Sequence, residues 1–176
     1  MIKPCLVVID VQEKLFPVIY NQKKFLRNLE ILIKGFKLFN LPIILTEQVP
    51  ENLGPTIDPI RSIIEVDPIV KNTFSCVTNS QFMERINALP EYDGIVLAGI
   101  ESHICVYQTG RDLTKRGYHV EVVANAIASR DKNNHLISLD RINKNGGFLT
   151  SVEMLLFDIQ KKVDDEIFRN LVRLVK

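Results

Sequence analysis

The sequence lacks most of the features that would assign a protein to a special structural class. Its three cysteines are an odd and scattered set, which does not make a disulfide framework. The net charge is only +1 and no run of basic residues occurs, so nothing favours binding to nucleic acid or to an anionic membrane. The three histidines, His103, His119 and His135, share no spacing typical of metal ligands. We therefore expect no metal site and no disulfide.

Two further absences concern the start of the chain. The first apolar run, CLVVI (5–9), meets the charged Asp10 too soon for a signal peptide or a membrane span. No glycine-rich phosphate loop follows it, so a nucleotide cofactor is not expected. What remains is a composition with 46% apolar and 24% charged residues, which is typical of globular proteins. We expect one cytoplasmic domain over residues 1–176.

Short apolar runs alternate with longer amphipathic segments along the chain. This alternation predicts an open parallel sheet with helices on both faces. In such sheets, functional residues collect at the carboxyl ends of the strands. The predicted strands lie within 5–10, 42–48, 67–75, 93–100, 118–127 and 148–150, and the predicted helices lie within 21–40, 78–89, 103–117, 132–147 and 163–176.

Three strand ends carry residues with chemical potential. Asp10 ends the first strand, Lys71 ends the third, and Cys105 falls in the first helical turn after the fourth. Each also has an ordinary interpretation when taken alone. Asp10 could begin a helix or a turn, Lys71 could leave the sheet into solvent, and Cys105 could be a packing residue like Cys5 within the first strand.

Taken together, the three residues form a reactive set at one edge of the sheet. The ammonium of Lys71 would keep Asp10 ionised and lower the pKa of the Cys105 thiol. The carboxylate could then take the thiol proton and later deliver it. These are the groups that a thiol hydrolase without a catalytic histidine needs.

Five spaced segments resemble the isochorismatase-like cysteine hydrolases, which also include nicotinamidases. They occur in the family's order and cover most of the chain, and the closest likeness is to isochorismatase domain-containing hydrolases. The segments are VVIDVQEKLFP (7–17), TEQVPENLGPT (46–56), VKNTFSCV (70–77), LAGIESHICVYQTGRDLTKRGY (97–118) and VVANAIASR (122–130).

The resemblance implies a role for each matching residue. Asp10 would be the general base and acid, Lys71 the cation, and Cys105 the nucleophile of a thioester mechanism on a small amide. A cis peptide bond would join Ile100 to Glu101, and the backbone N–H groups of Glu101 and Cys105 would form an oxyanion hole. The residues expected to line the substrate pocket are Gln12, Phe16, Gln48, Phe74 and Ser75.

The resemblance also implies the architecture and the assembly. The fold would be a three-layer α/β/α sandwich around a mostly parallel sheet of six strands, ending in a helix at about 163–176. A small-molecule substrate and a homo-oligomer, a dimer or larger, are expected of such a protein. No cofactor is expected.

The sequence also departs from some relatives. The stretch TEQVPENLGPTIDPI (46–60) has no histidine, whereas many nicotinamidases hold a metal there, so nicotinamide is not the expected substrate. Glu101 occupies a position where many relatives have a small residue, and its side chain could narrow the pocket or point away from it. His103 lies two residues before Cys105 and should face another side of the helix, which favours packing or capping over a Cys–His pair.

Two other functions remain open on the sequence alone. The first is a binding or scaffolding protein that keeps the fold without the chemistry. The second is a redox-responsive protein in which Cys105 is an oxidisable thiol. A hydrolase should form a thioester with some carboxamide, while a redox sensor should show only reversible oxidation.

Overall fold

The structure is a computed structural model that describes residues 3–89 and 91–176. Its six strands form one sheet in which every pairing is parallel, in the order β3-β2-β1-β4-β5-β6. The predicted fold class, a six-stranded α/β sandwich, is confirmed. The strands are β1 (Pro4–Ile9), β2 (Ile43–Gln48), β3 (Ile69–Lys71), β4 (Gly94–Ile100), β5 (Val120–Ala128) and β6 (Phe148–Thr150).

Helices connect the strands and cover both faces of the sheet. A π-helical turn, Ser102–Val106, directly precedes α5. The described residues form α1 (Gln22–Leu38), α2 (Pro50–Leu53), α3 (Asp58–Arg61), α4 (Ser80–Asn87), α5 (Tyr107–Lys115), α6 (Lys132–Lys144), α7 (Val152–Gln160) and α8 (Glu166–Val175). No described helix is long and apolar enough to span a membrane.

The helix predictions were right in place but incomplete in number. The single-turn helices α2 and α3 were not predicted, and neither was α7, which the Ser151 hydroxyl caps by accepting the N–H of Met154. The helix predicted over 163–176 begins only at Glu166, because the Asp165 side chain caps it by accepting the N–H of Phe168.

The sheet separates two apolar layers. On one face, alternate β1 residues such as Leu6 and Val8 pack against α1, α7 and α8. On the other face, Cys5, Val7 and Ile9 pack against residues of α4, α5 and α6. Because both faces are covered, β1 is buried along its whole length, as its continuous apolar run predicted.

The strand order has a switch point between β1 and β4. The crossover from β1 leads away to β2 on one side, and β4 lies on the other side. Gly99 in β4 has φ +114°, and a Cβ atom there would lie 2.2 Å from the carbonyl oxygen of Ile9. Only glycine fits so close an approach. The expected cis bond between Ile100 and Glu101 is present directly after Gly99. Because Ile9 pairs with Gly99, β1 and β4 end beside one another, where ligands bind in such sheets.

Candidate active site

Asp10 lies just past β1, fully buried and with φ +52°. The Thr46 hydroxyl donates to its Oδ1 at 2.7 Å, and the Lys71 ammonium donates to its Oδ2 at 2.6 Å. Its carboxylate therefore serves a side-chain ion pair rather than a helix cap. Each carboxylate oxygen of Asp10 thus has a side-chain donor despite its burial.

Lys71 is the cationic partner at the end of β3. It is only 2% exposed, so the interpretation that it leaves the sheet into solvent is wrong. Besides Asp10, its Nζ donates to Gln48 Oε1 and to the carbonyl of Thr73, both at 3.0 Å. Burial alone would lower the pKa of Lys71, but the negative charge of Asp10 raises it above its ordinary value. The lysine is therefore charged at neutral pH.

Cys105 lies in the π-helical turn and is 6% exposed. Its Sγ donates to Gln48 Oε1 at 3.4 Å, so one amide oxygen links the thiol to the lysine. Burial raises the pKa of the thiol, and the charge of Asp10 raises it further, whereas Lys71 lowers it. Lys71 thus acts in the expected direction, but the net shift of the thiol pKa is upward because burial and the nearby carboxylate outweigh the lysine.

The other two thiols lie in different settings. All three cysteines are free, and burial raises the pKa of Cys5 to about 12 and that of Cys76 to about 11. Asp10 also raises the pKa of Cys76, and Lys71 lowers it. The backbone N–H of Cys76 donates to the Thr109 hydroxyl. Cys76 is therefore a natural control for Cys105.

The three polar residues predicted for the pocket have different contacts. Gln48 is in direct contact with Lys71 of the ion pair and with the Cys105 thiol. Gln12 is fully buried and uses both ends of its amide to hold backbone groups of Gln48 and Gly54, so it fixes the end of β2. Ser75 is buried, and its carbonyl accepts the Thr73 hydroxyl.

The two aromatic pocket residues differ in exposure. Phe74 is 50% exposed, with its carbonyl 3.4 Å from Lys71 Nζ. Phe16 begins a short helical turn, and its ring centroid is 6.4 Å from that of Phe25 in α1. Phe74 thus contacts the lysine through its backbone carbonyl.

The side chain of Glu101 turns toward the end of β5. Its Oε1 accepts the backbone N–H of Arg130 at 3.1 Å. His103 hydrogen-bonds with Ser129 rather than with Cys105, at a distance of 2.9 Å from Nδ1 to Oγ. The oxyanion role of the Glu101 and Cys105 N–H groups stays a prediction.

Thr46 and the bridging role of Gln48 were not found from the sequence. Both belong to TEQ at the end of β2, the strand between β1 and β3. A polar triplet ending a buried strand was the available signal. Among the described residues, no three His, Cys, Asp or Glu side chains gather in an arrangement that could hold a metal.

Known proteins share both the sequence pattern and the fold. Residues 4–154 match the model of the isochorismatase domain. Isochorismatase domain-containing protein 2 of Danio rerio is 32% identical over 170 residues, which cover 97% of this chain and 85% of that protein. The same relative in Bos taurus is 34% identical, over 95% of this chain and 80% of its own.

Solved structures agree with this match. The MAR1 ribonuclease of Caenorhabditis elegans superposes with a TM-score of 0.89 at 27% identity, covering 99% of this chain and 90% of that one.

Proposed function

The chain belongs to the isochorismatase family, and we propose that it is a cysteine hydrolase acting on a small amide or a related C–N bond. Members of this family are generally hydrolases. The observation that most supports a cysteine hydrolase is the group of contacts at the carboxyl ends of the strands. Asp10, Lys71 and Cys105 come together there through Gln48, in a place where an unpaired charge would be costly.

The proposed reaction starts with a proton transfer. Asp10 takes the proton of the Cys105 thiol, and the thiolate attacks the substrate carbonyl carbon, whose oxygen becomes an oxyanion. The N–H groups of Glu101 and Cys105 stabilise that oxyanion. The C–N bond then breaks as Asp10 returns the proton to the leaving amine, and the acyl group stays on sulfur as a thioester.

Hydrolysis of the thioester completes the cycle. Asp10 takes a proton from water, the hydroxide attacks the thioester carbonyl, and the C–S bond breaks. The proton on Asp10 then returns to the thiolate, which leaves a carboxylic acid and the starting thiol. Lys71 stabilises the negative charge on Asp10 and on sulfur at each stage.

The raised pKa of Cys105 is compatible with this order of events. The charge of Asp10 helps to raise it, and this contribution disappears once Asp10 holds the proton. The proposed step thus moves one proton from the thiol to the carboxylate. The resting state is a thiol beside a carboxylate, and the thiolate forms as Asp10 is protonated.

Substrate, partners and location are part of the proposal. Gln48, Phe74 and Ser75 would contact the substrate, with Gln12 and Phe16 shaping the wall behind them, and no metal or other cofactor is invoked. YcaC of Escherichia coli, whose structure is described as an octameric hydrolase of unknown specificity, matches with a TM-score of 0.91 at 21% identity over 98% of this chain and 86% of that one. We propose a homo-oligomer here too, and a cytoplasmic location.

The Caenorhabditis elegans neighbour is named a ribonuclease. A net charge of +1 without a basic run offers no electrostatic track for RNA, so the small-molecule proposal is preferred here. The binding, scaffolding and redox alternatives differ from it in one respect, because none of them forms an acyl-enzyme.

A panel of small carboxamides tests the proposal. We expect one or more to release amine, and hydroxylamine should trap the acyl group from Cys105. Cys105→Ala should abolish both signals, whereas Cys76→Ala, which removes the neighbouring thiol, should keep them. Reversible oxidation of Cys105 with no acyl transfer from any amide or activated ester would contradict the proposal and favour the redox alternative.

A further inference from the structure

Two serines and two histidines form a chain of hydrogen bonds behind the nucleophile. We call Ser102, His103, Ser129 and His135 the Ser–His network. Its contacts are His135 Nδ1 to Ser102 Oγ at 3.2 Å, Ser102 Oγ to Ser129 Oγ at 2.5 Å, and Ser129 Oγ to His103 Nδ1 at 2.9 Å. The proposed mechanism uses none of these side chains.

The network connects three separate parts of the fold. Ser102 and His103 belong to the turn that leads to the nucleophile, Ser129 follows β5, and His135 lies on α6. The two serines are almost completely buried, at 0% and 1% exposure. Buried hydroxyl groups cannot exchange these partners for water, so each lost bond leaves a neighbour unsatisfied.

The three hydrogen bonds of the network need a proton from at least one histidine. Three hydrogen bonds need three protons, and the two hydroxyl groups supply two. The third must come from an imidazole, so at least one of His103 and His135 carries its proton on Nδ1. Removing either serine therefore breaks the chain in the middle.

A parallel contact lies beside the network. The Glu101 carboxylate accepts the backbone N–H of Arg130 at 3.1 Å. Three successive residues of the turn, 101 to 103, are thus joined to the two residues after β5, 129 and 130. The joined turn contains Glu101 and leads to Cys105, whose N–H groups are the proposed oxyanion donors.

We propose that Ser102 and Ser129 are positioning residues, which hold the turn 101–105 so that its N–H groups face the developing oxyanion. The inference rests on the proposed function, because it assigns these serines to that reaction. His103 and His135 complete the network at its two ends. Oxyanion donors must be in place before the reaction, since a misplaced donor loses much of its effect.

Two reagents separate positioning from simple reactivity of the thiol. Acetyl transfer from p-nitrophenyl acetate to Cys105 passes through a tetrahedral oxyanion, forms the S–C bond, and releases p-nitrophenol with the thiol proton. Alkylation by iodoacetamide displaces iodide and forms no oxyanion. The ratio of the two rates, with the site of each adduct mapped by mass spectrometry, reports on the oxyanion donors alone.

We expect Ser102→Ala and Ser129→Ala to lower this ratio about tenfold. Deleting an oxyanion donor itself lowers the rate by roughly 10²–10³, and a donor that is only misplaced should lose less. Ser138→Ala is the matched control. It is a buried serine on α6 whose hydroxyl donates to the backbone carbonyl of His135 rather than to the side-chain bonds of the network. Its ratio should stay within about twofold of the wild-type value.

The outcomes distinguish this inference from the function on which it rests. If wild-type Cys105 is acetylated and both serine variants keep the wild-type ratio, the positioning role is wrong and the hydrolase proposal stands. If wild-type Cys105 is alkylated but never acetylated, both fail. Should the serine variants not fold, His135→Gln, which removes the half-buried end of the network, should still lower the ratio about threefold, and an unchanged ratio there would overturn the inference.

Discussion

The two ends of the sheet treat a buried thiol in different ways. Cys5, near the start of β1, donates weakly to the Leu6 carbonyl at 3.8 Å, and burial is the main cause of its raised pKa. Cys105, past the end of β4, is buried too, but it shares its surroundings with Asp10 and Lys71. Burial alone keeps a thiol protonated and inert. Burial beside a base and a cation places a proton acceptor near the thiol.

The comparison extends from thiols to charges. At the carboxyl end, Lys71 and Asp10 form a buried pair at 2.6 Å, with both side chains at most 1% exposed. Near the amino end, Lys3 and Glu91 form a pair at 4.0 Å with more than half of each side chain exposed. Only the buried pair is held tightly by its surroundings, so the two pairs should differ greatly in their effect on stability.

Breaking the buried pair should have the largest effect. Lys71→Met leaves the Asp10 carboxylate buried without its cation, and we expect the free energy of unfolding to fall by about 3–5 kcal/mol. Lys3→Met should change it by less than about 0.5 kcal/mol, because that pair is solvated. Urea denaturation of the two variants measures both values.

A double variant sharpens this test. Asp10→Asn with Lys71→Met removes both charges and should recover much of the stability lost in the single variant. A loss below about 1 kcal/mol in Lys71→Met would mean that the carboxylate finds other compensation. The contrast between the two ends of the sheet would then be much weaker than the contacts indicate.

A smaller effect is expected at His135, where burial acts without a charged partner, as it mainly does at Cys5. Burial lowers the pKa of His135 below its ordinary value. The unfolded chain therefore binds the proton more readily, so this contribution to stability is present above about pH 6.5 and is lost as the pH falls through the folded pKa.

Thermal unfolding between pH 8 and pH 5 measures this contribution. We expect His135→Asn to show a shallower loss of stability toward acid than the wild type, with a difference of no more than about 1 kcal/mol. His119→Asn is the control, because it removes an exposed histidine at another place in the fold. Equal slopes in all three proteins would contradict the assignment to His135.

Much of the fold and the centre of the site could be predicted because they depend on local pattern and on topology. Alternating apolar runs gave the parallel sheet, and the rule that parallel strands end at one edge brought Asp10, Lys71 and Cys105 together. The helix α7 was not predicted, although Val152, Leu155 and Leu156 have helical spacing and are buried.

Other features depend on contacts between distant parts of the chain. The bond between Ser102 and Ser129 joins residues 27 positions apart, and no local pattern indicates which serines will meet. The net pKa shift of Cys105 depends on the balance between the burial of the thiol, the charge of Asp10 and the charge of Lys71. A sequence shows that a cation and an anion will be near, but it does not show their balance.

The measurement that tests the central claim most directly follows acetyl transfer from p-nitrophenyl acetate in the wild type and in Asp10→Asn, with intact-mass and peptide mapping. We predict that the wild type acetylates Cys105 and turns over. In Asp10→Asn, both acetylation of Cys105 and hydrolysis of the thioester should slow, because Asp10 is the base in both steps, and turnover should fall by roughly 10²–10⁴, the range for loss of a general base. Turnover at the wild-type rate in Asp10→Asn, or acetylation on Cys5 or Cys76 instead of Cys105, would contradict the account.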